Sequence, residues 1–292
     1  MVQSREVLQT ITAHQQREGA GFLVRRPFPT NGLDHVDPFL MLDEVGPVKY
    51  GPGEAIGAPD HPHRGFETVS YILQGEKLHE DSDGHAQLLQ AGDVQWMTAG
   101  SGIVHSEMPS ERIQHEGGWA HGFQIWVNLP KKDKWVAPHY QHLPAGDIPS
   151  ASSKDGLVTV KVIAGEAFGV AASINTYTPI ILQDWSVAPG GYATQPLDPR
   201  YQASIYVFDG EVNLGPSRAV VRAGQLARFG DGAKIEISAM PAHSTNARFL
   251  LLAGLPLGEE ISRYGPFVMN TQQEIADAVD DYKGGKMGVI ER

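Results

Sequence analysis

The sequence predicts an all-β fold, a sandwich or barrel, present twice along the chain. Three observations carry that prediction. The 292 residues include 33 glycines and 20 prolines, which punctuate the chain roughly every eight to twelve residues, the turn spacing of antiparallel β domains. Short apolar runs rich in β-branched and aromatic residues lie between the turns, among them Thr68-Val69-Ser70-Tyr71-Ile72-Leu73, Phe123-Gln124-Ile125-Trp126-Val127 and Ala247-Arg248-Phe249-Leu250-Leu251-Leu252; such residues pack well on a pleated surface. Third, Tyr71-Ile72-Leu73-Gln74-Gly75-Glu76 recurs as Tyr206-Val207-Phe208-Asp209-Gly210-Glu211, and Gln90-Ala91-Gly92-Asp93 recurs as Arg222-Ala223-Gly224-Gln225, at offsets of 135 and then 132. Order is kept and the offsets differ by only a loop's length, as expected of a duplicated domain.

The remaining elements follow from local signals. One helix is expected near the C-terminus, where Asn270 can cap, Thr271 and Glu274 have capping-box spacing, and Gly284-Gly285 stops it. Ile275, Ala278 and Val279 give that helix an apolar stripe for closing a domain edge. The Pro-rich, polar stretch from Pro130 to Pro149 reads as a linker, with Lys131-Lys132-Asp133-Lys134 as a solvated turn. The expected division is therefore 1–135 for the first domain, 136–150 for the linker and 151–292 for the second domain.

Composition narrows the function. Cysteine is absent, which excludes disulfides, cysteine nucleophiles, thiolate zinc sites and iron–sulfur clusters. The net charge is −11 and no basic run of five or six residues occurs, so direct nucleic-acid binding is not expected. No apolar run approaches membrane-spanning length and the N-terminus lacks the apolar core of a signal peptide. The expectation is a cytoplasmic protein, nuclear being an alternative in a eukaryote, with no membrane partner.

Histidine is the informative residue. Of the 12 histidines all but His243 lie in the first half. His61 and His63 stand at i and i+2 just before a strand, and His105 and Glu107 repeat the relation. Residues so spaced on extended chain face one side, roughly 6–7 Å apart. Pairing of the two segments would bring three imidazoles and one carboxylate together, a nitrogen and oxygen donor set that suits iron, manganese, cobalt, nickel, copper or zinc. Glu67 is a reserve carboxylate, although four residues beyond His63 is roughly 13 Å along a strand. His79 and His85 flank a hairpin-loop composition and are expected to be exposed. Phe66, Trp96 and Trp126 could wall a pocket for a planar molecule. By the repeat offsets, His61, His63, His105 and Glu107 fall on Pro196, Asp198, Ile237 and Ala239, so the second half cannot build the same site.

The segments HPHRGFET, VSYILQGE, AGDVQWMTAGSGIVHSEMP, FQIWVNLP and YGPFVMNT, in that order over nearly the whole chain, resemble the pirin family of the cupin superfamily. The resemblance implies a bicupin, two antiparallel β-barrels with metal in the N-terminal one. It implies His61, His63, His105 and Glu107 as ligands, Fe(II) as the metal, and oxidation of a planar phenol such as quercetin by dioxygen, with Glu107 as the base. It implies an alternative as well, since the family includes a mammalian nuclear iron protein that modulates transcription-factor complexes: an iron-binding redox sensor acting through a protein partner.

Overall fold

A computed structural model describes residues 3–242 and 244–292; His243, the lone histidine of the second half, lies outside the described residues. Among the described residues strands dominate, with two α-helices, Glu111–Glu116 and Gln272–Lys283. The chain forms two compact units, and neither is contiguous in sequence. One comprises residues 15–26, 40–147 and 258–292; the other comprises 1–14, 27–39 and 148–257.

The unit that carries the paired histidines has a seven-stranded and a four-stranded sheet. In the larger, His139–Leu143, Val94–Thr98, Phe66–Gln74, Gly118–Asn128, Phe39–Tyr50, Phe22–Phe28 and His14–Glu18 lie side by side; in the smaller the order is Ala58–His63, Ile103–Pro109, Lys77–Asp81 and Ala86–Leu89. The other unit repeats this plan. Its larger sheet runs Val7–Thr12, Gln225–Phe229, Gln202–Asp209, Ala247–Gly254, Ile180–Val187, Val158–Ala164 and Ser150–Ser152, and its smaller one Tyr192–Pro196, Lys234–Ser238, Glu211–Leu214 and Ala219–Arg222. The matched Tyr71 and Tyr206 are both fully buried, each on a central strand, and the matched Gly75 and Gly210 both turn with positive φ (+89° and +67°). This is the two-domain, jelly-roll arrangement of the cupin fold.

The ends of the chain depart from a linear division. The first strand, Val7–Thr12, pairs with Gln225–Phe229 in the unit formed largely by the second half. The last segment, 258–292, completes the unit formed by the first half. Its helix begins one residue later than the sequence signal, with Thr271 as the cap: Thr271 Oγ1 accepts from the Glu274 amide and Glu274 Oε2 accepts from the Thr271 amide. Ile275 and Ala278 pack with Val104, Phe267, Met269, Met287 and Ile290, and Val279 is half-buried against them. The helix therefore closes the histidine-bearing unit. The expected linker is also structured there: His139–Leu143 pairs with Val94–Thr98. Lys134, expected in a solvated turn, is buried, and its Nζ donates to Gly65 O, Asn128 Oδ1 and Val268 O at 2.7, 2.7 and 3.0 Å. Burial pulls its ammonium down to about 8; three acceptors are what keep such a group satisfied.

Gly65 sits where these contacts meet. Its φ is +86°, and a Cβ there would collide with the Val268 carbonyl. Gly65→Ala therefore combines backbone strain with a clash that no rotamer relieves. We expect it to lower stability by about 3 kcal/mol, read as a fall in the urea midpoint at unchanged slope.

Candidate metal centre

The site is built by one strand pair. Ala58–His63 and Ile103–Pro109 run antiparallel with His61 directly opposite His105, and His63 opposite Ile103. Directly opposed residues share a face, as do residues two apart on one strand, so His61, His63 and His105 converge. Their ring centroids are 4.3 to 4.9 Å apart, and each offers a ligand atom within 4.8 Å of the others'. His63 and His105 are buried and His61 is half-buried.

Each imidazole has its Nδ1 engaged. His61 Nδ1 lies 2.7 Å from Pro59 O, His63 Nδ1 3.3 Å from Pro266 O, and His105 Nδ1 2.9 Å from His79 Nε2. For the first two the acceptor is a carbonyl, so Nδ1 carries a proton and Nε2 is the nitrogen left for a metal. The buried Nε2 of His105 has no hydrogen-bond partner. An orphaned buried nitrogen is costly in a folded protein, and a cation between the three Nε2 atoms would satisfy it. Backbone or side-chain support on the remote ring nitrogen is the usual arrangement around a metal-ligating histidine. Electrostatics agrees. Burial, reinforced by His61, pulls His63 down to about 3, and burial with the neighbouring histidines takes His105 well below the ordinary imidazole range. Both are neutral donors at neutral pH. The donor set thus fits a divalent transition ion.

Glu107 is beside the triad but outside that cluster of mutually close donor atoms. Its Oε1 accepts from Ser70 Oγ at 2.7 Å and from Lys77 Nζ at 3.2 Å. Burial alone would raise its carboxyl; the Lys77 ammonium and the Ser70 hydroxyl overcome that and hold it at about 2. Glu67 faces elsewhere. Phe66 and Ser70 contact His63 and Glu107, so strand alternation turns Glu67 to the opposite face of Phe66–Gln74. There Glu67 Oε1 accepts from Thr98 Oγ1 at 2.7 Å. The reserve-ligand expectation is therefore corrected by strand parity. The same parity divides the aromatics. Phe66 and Trp126 stand against His63, at 5.0 and 5.3 Å between centroids. Trp96 sits opposite Val69, on the Glu67 side.

Sequence reasoning missed His79. It is buried, not exposed, and packs edge-on against Tyr140. Its register opposite Glu107 was not readable before the sheet was known, although its position two residues from Asp81 and before the loop was a hairpin signal. His85, by contrast, is largely exposed and pairs with Asp81.

The last segment braces the ligand strands from outside. Arg64 Nη1 pairs with Asp281 Oδ2 at 2.9 Å, Ser82 Oγ donates to Met287 O at 2.8 Å, and Arg292 Nη2 pairs with Asp60 Oδ1 at 2.6 Å.

Two measurements check this geometry. Protein purified without a tag or added metal should carry about one transition ion per chain by elemental analysis, and His105→Ala should lose it, because two remaining imidazoles do not make a closed donor set. Separately, burial pushes the Glu67 carboxyl up to about 7 from 4.5. Between those values the native state keeps a proton that the unfolded chain loses, so this group's contribution falls as pH rises toward 7. Glu67→Gln, which can still accept from Thr98, should therefore gain on the parent protein between pH 4.5 and pH 8, by up to about 3 kcal/mol in metal-free urea unfolding. A difference that does not change with pH would contradict the buried-acid assignment.

Comparison with known proteins gives the chain its family. The Pirin family model matches residues 21–127, and the model of the Pirin C-terminal cupin domain matches residues 182–288. A pirin-like protein of Solanum lycopersicum is 43% identical over 285 residues, covering 97% of this chain and 93% of its own. Pirin of Homo sapiens is 41% identical over 291 residues, covering 99% and 96%. Among solved structures, quercetin 2,3-dioxygenase of Acinetobacter baumannii superposes with a TM-score of 0.91 at 34% identity, over 99% of this chain and 100% of that one. With both family models matched in order, and with close relatives aligned nearly end to end, the chain belongs to the pirin family of cupin proteins.

Proposed function

We propose that the protein is a metal-dependent dioxygenase that opens the ring of a flavonol-like enol, quercetin being the probe substrate, at a mononuclear centre held by His61, His63 and His105 with Glu107 as the acidic partner. The observation that carries this reading is the convergence of three Nδ1-anchored imidazoles, those of His63 and His105 buried, on one point. Likeness to a structure of quercetin 2,3-dioxygenase over the full length of both chains supports the substrate class. A divalent ion there, Fe(II) in first place, supplies Lewis acidity to an enol hydroxyl and a route for electrons to dioxygen.

The chain's own residues do the rest. Burial of His63 and His105 keeps their lone pairs free of protons at working pH. Phe66 and Trp126 give the site an aromatic wall beside His63, suited to flat rings. Glu107 is ionised and accepts the substrate's hydroxyl proton. Held at about 2, it is a weak base, matched only to a hydroxyl already acidified by the metal. For quercetin the expected products are the opened ring and carbon monoxide.

The second reading is an iron-binding redox sensor that acts through a protein partner. It is favoured by the name Pirin borne by relatives at 41% identity.

Anaerobically Fe(II)-loaded protein mixed with quercetin and air separates the two. The dioxygenase reading expects quercetin loss with matched dioxygen uptake, at least about 100-fold above a His63→Ala control. Equal rates in the two proteins would sink it for this substrate, and partner capture that depends on the iron's oxidation state would then favour the sensor.

A further inference from the structure

A second constellation lies wholly within the unit formed largely by the second half. Four neighbouring strands of its larger sheet carry it: Ser150–Ser152, Val158–Ala164, Ile180–Val187 and Ala247–Gly254. Ser152 is opposite Thr159, Thr159 is opposite Ser186, and Ser186 is opposite Arg248. In the next row on the same face, Lys161 is opposite Asp184. Directly opposed residues share a face. The alternate residues Val158, Val160, Trp185, Val187 and Phe249 belong to the apolar core, so strand alternation turns both polar rows outward. There they line a cavity of about 220 Å³.

The charge in this cavity is unbalanced. Asp184 is buried and accepts from Arg248 Nη2 at 2.7 Å. The same guanidinium lies over the Phe208 ring, 4.8 Å from its centroid. Lys161 makes no ion pair among the described residues. Two cations and one carboxylate leave the cavity with a net positive charge in a chain whose formal charge is −11. The other unit is an internal control. Counted from the matched Tyr71 and Tyr206 along the two registers, which share the same irregularity, His121 falls on Arg248. His121 Nε2 likewise meets a buried carboxylate, Glu44, at 2.9 Å. There Arg25, from the neighbouring strand, also reaches Glu44, at 3.1 Å, and both partners are spent on it. The arrangement is closed in one unit; in the other the second cation is left over beside a cavity.

We propose that the cavity at Lys161, Asp184 and Arg248 binds a small polyhydroxylated carboxylate of the sugar-acid class. The Lys161 ammonium and the remaining guanidinium donors of Arg248 hold the carboxylate. Ser152, Thr159 and Ser186 meet the ligand's hydroxyls, each being both donor and acceptor. One surplus positive charge matches a monoanion, whereas a phosphate dianion would set an excess negative charge against Asp184. The volume is below the roughly 300 Å³ at which drug-sized pockets begin, which suits a single sugar unit. No residue of the histidine centre takes part.

Equilibrium dialysis of radiolabelled D-gluconate against the metal-free full chain tests this, with D-glucose and inorganic phosphate as competitors. Gluconate also chelates metal ions, so His63→Ala is the control for the histidine centre. Wild type and His63→Ala should bind one gluconate per chain with equal affinity, and that affinity should fall as salt screens Lys161. Lys161→Met should weaken binding about tenfold, the scale of a hydrogen bond to a charged group. Thr159→Val, an isosteric change at an exposed residue, should weaken it about threefold and keeps the proposal refutable if Lys161→Met folds poorly. No uptake of gluconate would overturn the proposal. So would loss of binding in His63→Ala, unchanged affinity in the Lys161 and Thr159 variants, or displacement by glucose or phosphate as effective as by gluconate itself.

Discussion

The structure of the centre depends on one register. His61 opposite His105 in the pairing of Ala58–His63 with Ile103–Pro109 decides which side chains meet. A slip of one residue would send His61 and His63 to the other face and leave His105 against Pro62 or an aspartate, because side-chain period on a strand is two. That register is fixed on both sides. Ile103–Pro109 is interior in its sheet, and its residues from His105 to Pro109 pair with Lys77–Asp81. The pairing of Glu107 with Ala58 is shifted relative to that of His105 with His61. The irregularity falls between His105 and Glu107, where the strand must serve an imidazole and a carboxylate held by different partners.

Once the three imidazoles meet, their electrostatics follow. Burial and crowding both disfavour the imidazolium form of His63 and His105, so their ring nitrogens are delivered to the pocket as neutral donors. The anchors on Nδ1 then choose the tautomer. Two of the three are carbonyls of proline residues, Pro59 and Pro266. Pro266 belongs to the last segment of the chain, 258–292. That segment is therefore part of the centre's support, which explains why it folds with the first half's strands and why Asp281, Met287 and Arg292 are spent on Arg64, Ser82 and Asp60.

Much of this was legible in the sequence, and the division between what was and what was not is physical. Strand periodicity, turn glycines and the two H-x-H and H-x-E pairs are local, so the fold class, the duplication and the convergence of the triad could be read directly. Glu107 was placed beside the triad by spacing, but its engagement with Lys77 and Ser70 needs three strands from two sheets. His79 and Lys134 illustrate the same limit. Each has the composition of an exposed turn around it, and each is buried because a partner far along the chain supplies its hydrogen bonds. The offset arithmetic of the repeat was also inexact in detail. Ile237 is paired with Ala193, not with Pro196, because the two offsets belong to different strands separated by a loop of changed length.

The second unit shows what else a metal centre requires. Its strands Tyr192–Pro196 and Lys234–Ser238 pair as the ligand strands do, so the scaffold is present. Ala193, Ile235, Ile237 and Ala239 are instead buried in one apolar cluster with Trp185 and Phe249. Asp198, at a ligand offset, is turned to Arg200 on the surface. Restoring histidines at these positions would bury imidazoles among Val, Ile and Leu, and each would need a partner for its Nδ1 that the cluster does not offer. Four ligand substitutions would therefore not be enough to make a second centre. In the histidine-bearing unit the carbonyls of Pro59 and Pro266, together with His79, engage the Nδ1 atoms of the triad, and the proposed centre draws on that support as well as on its ligands.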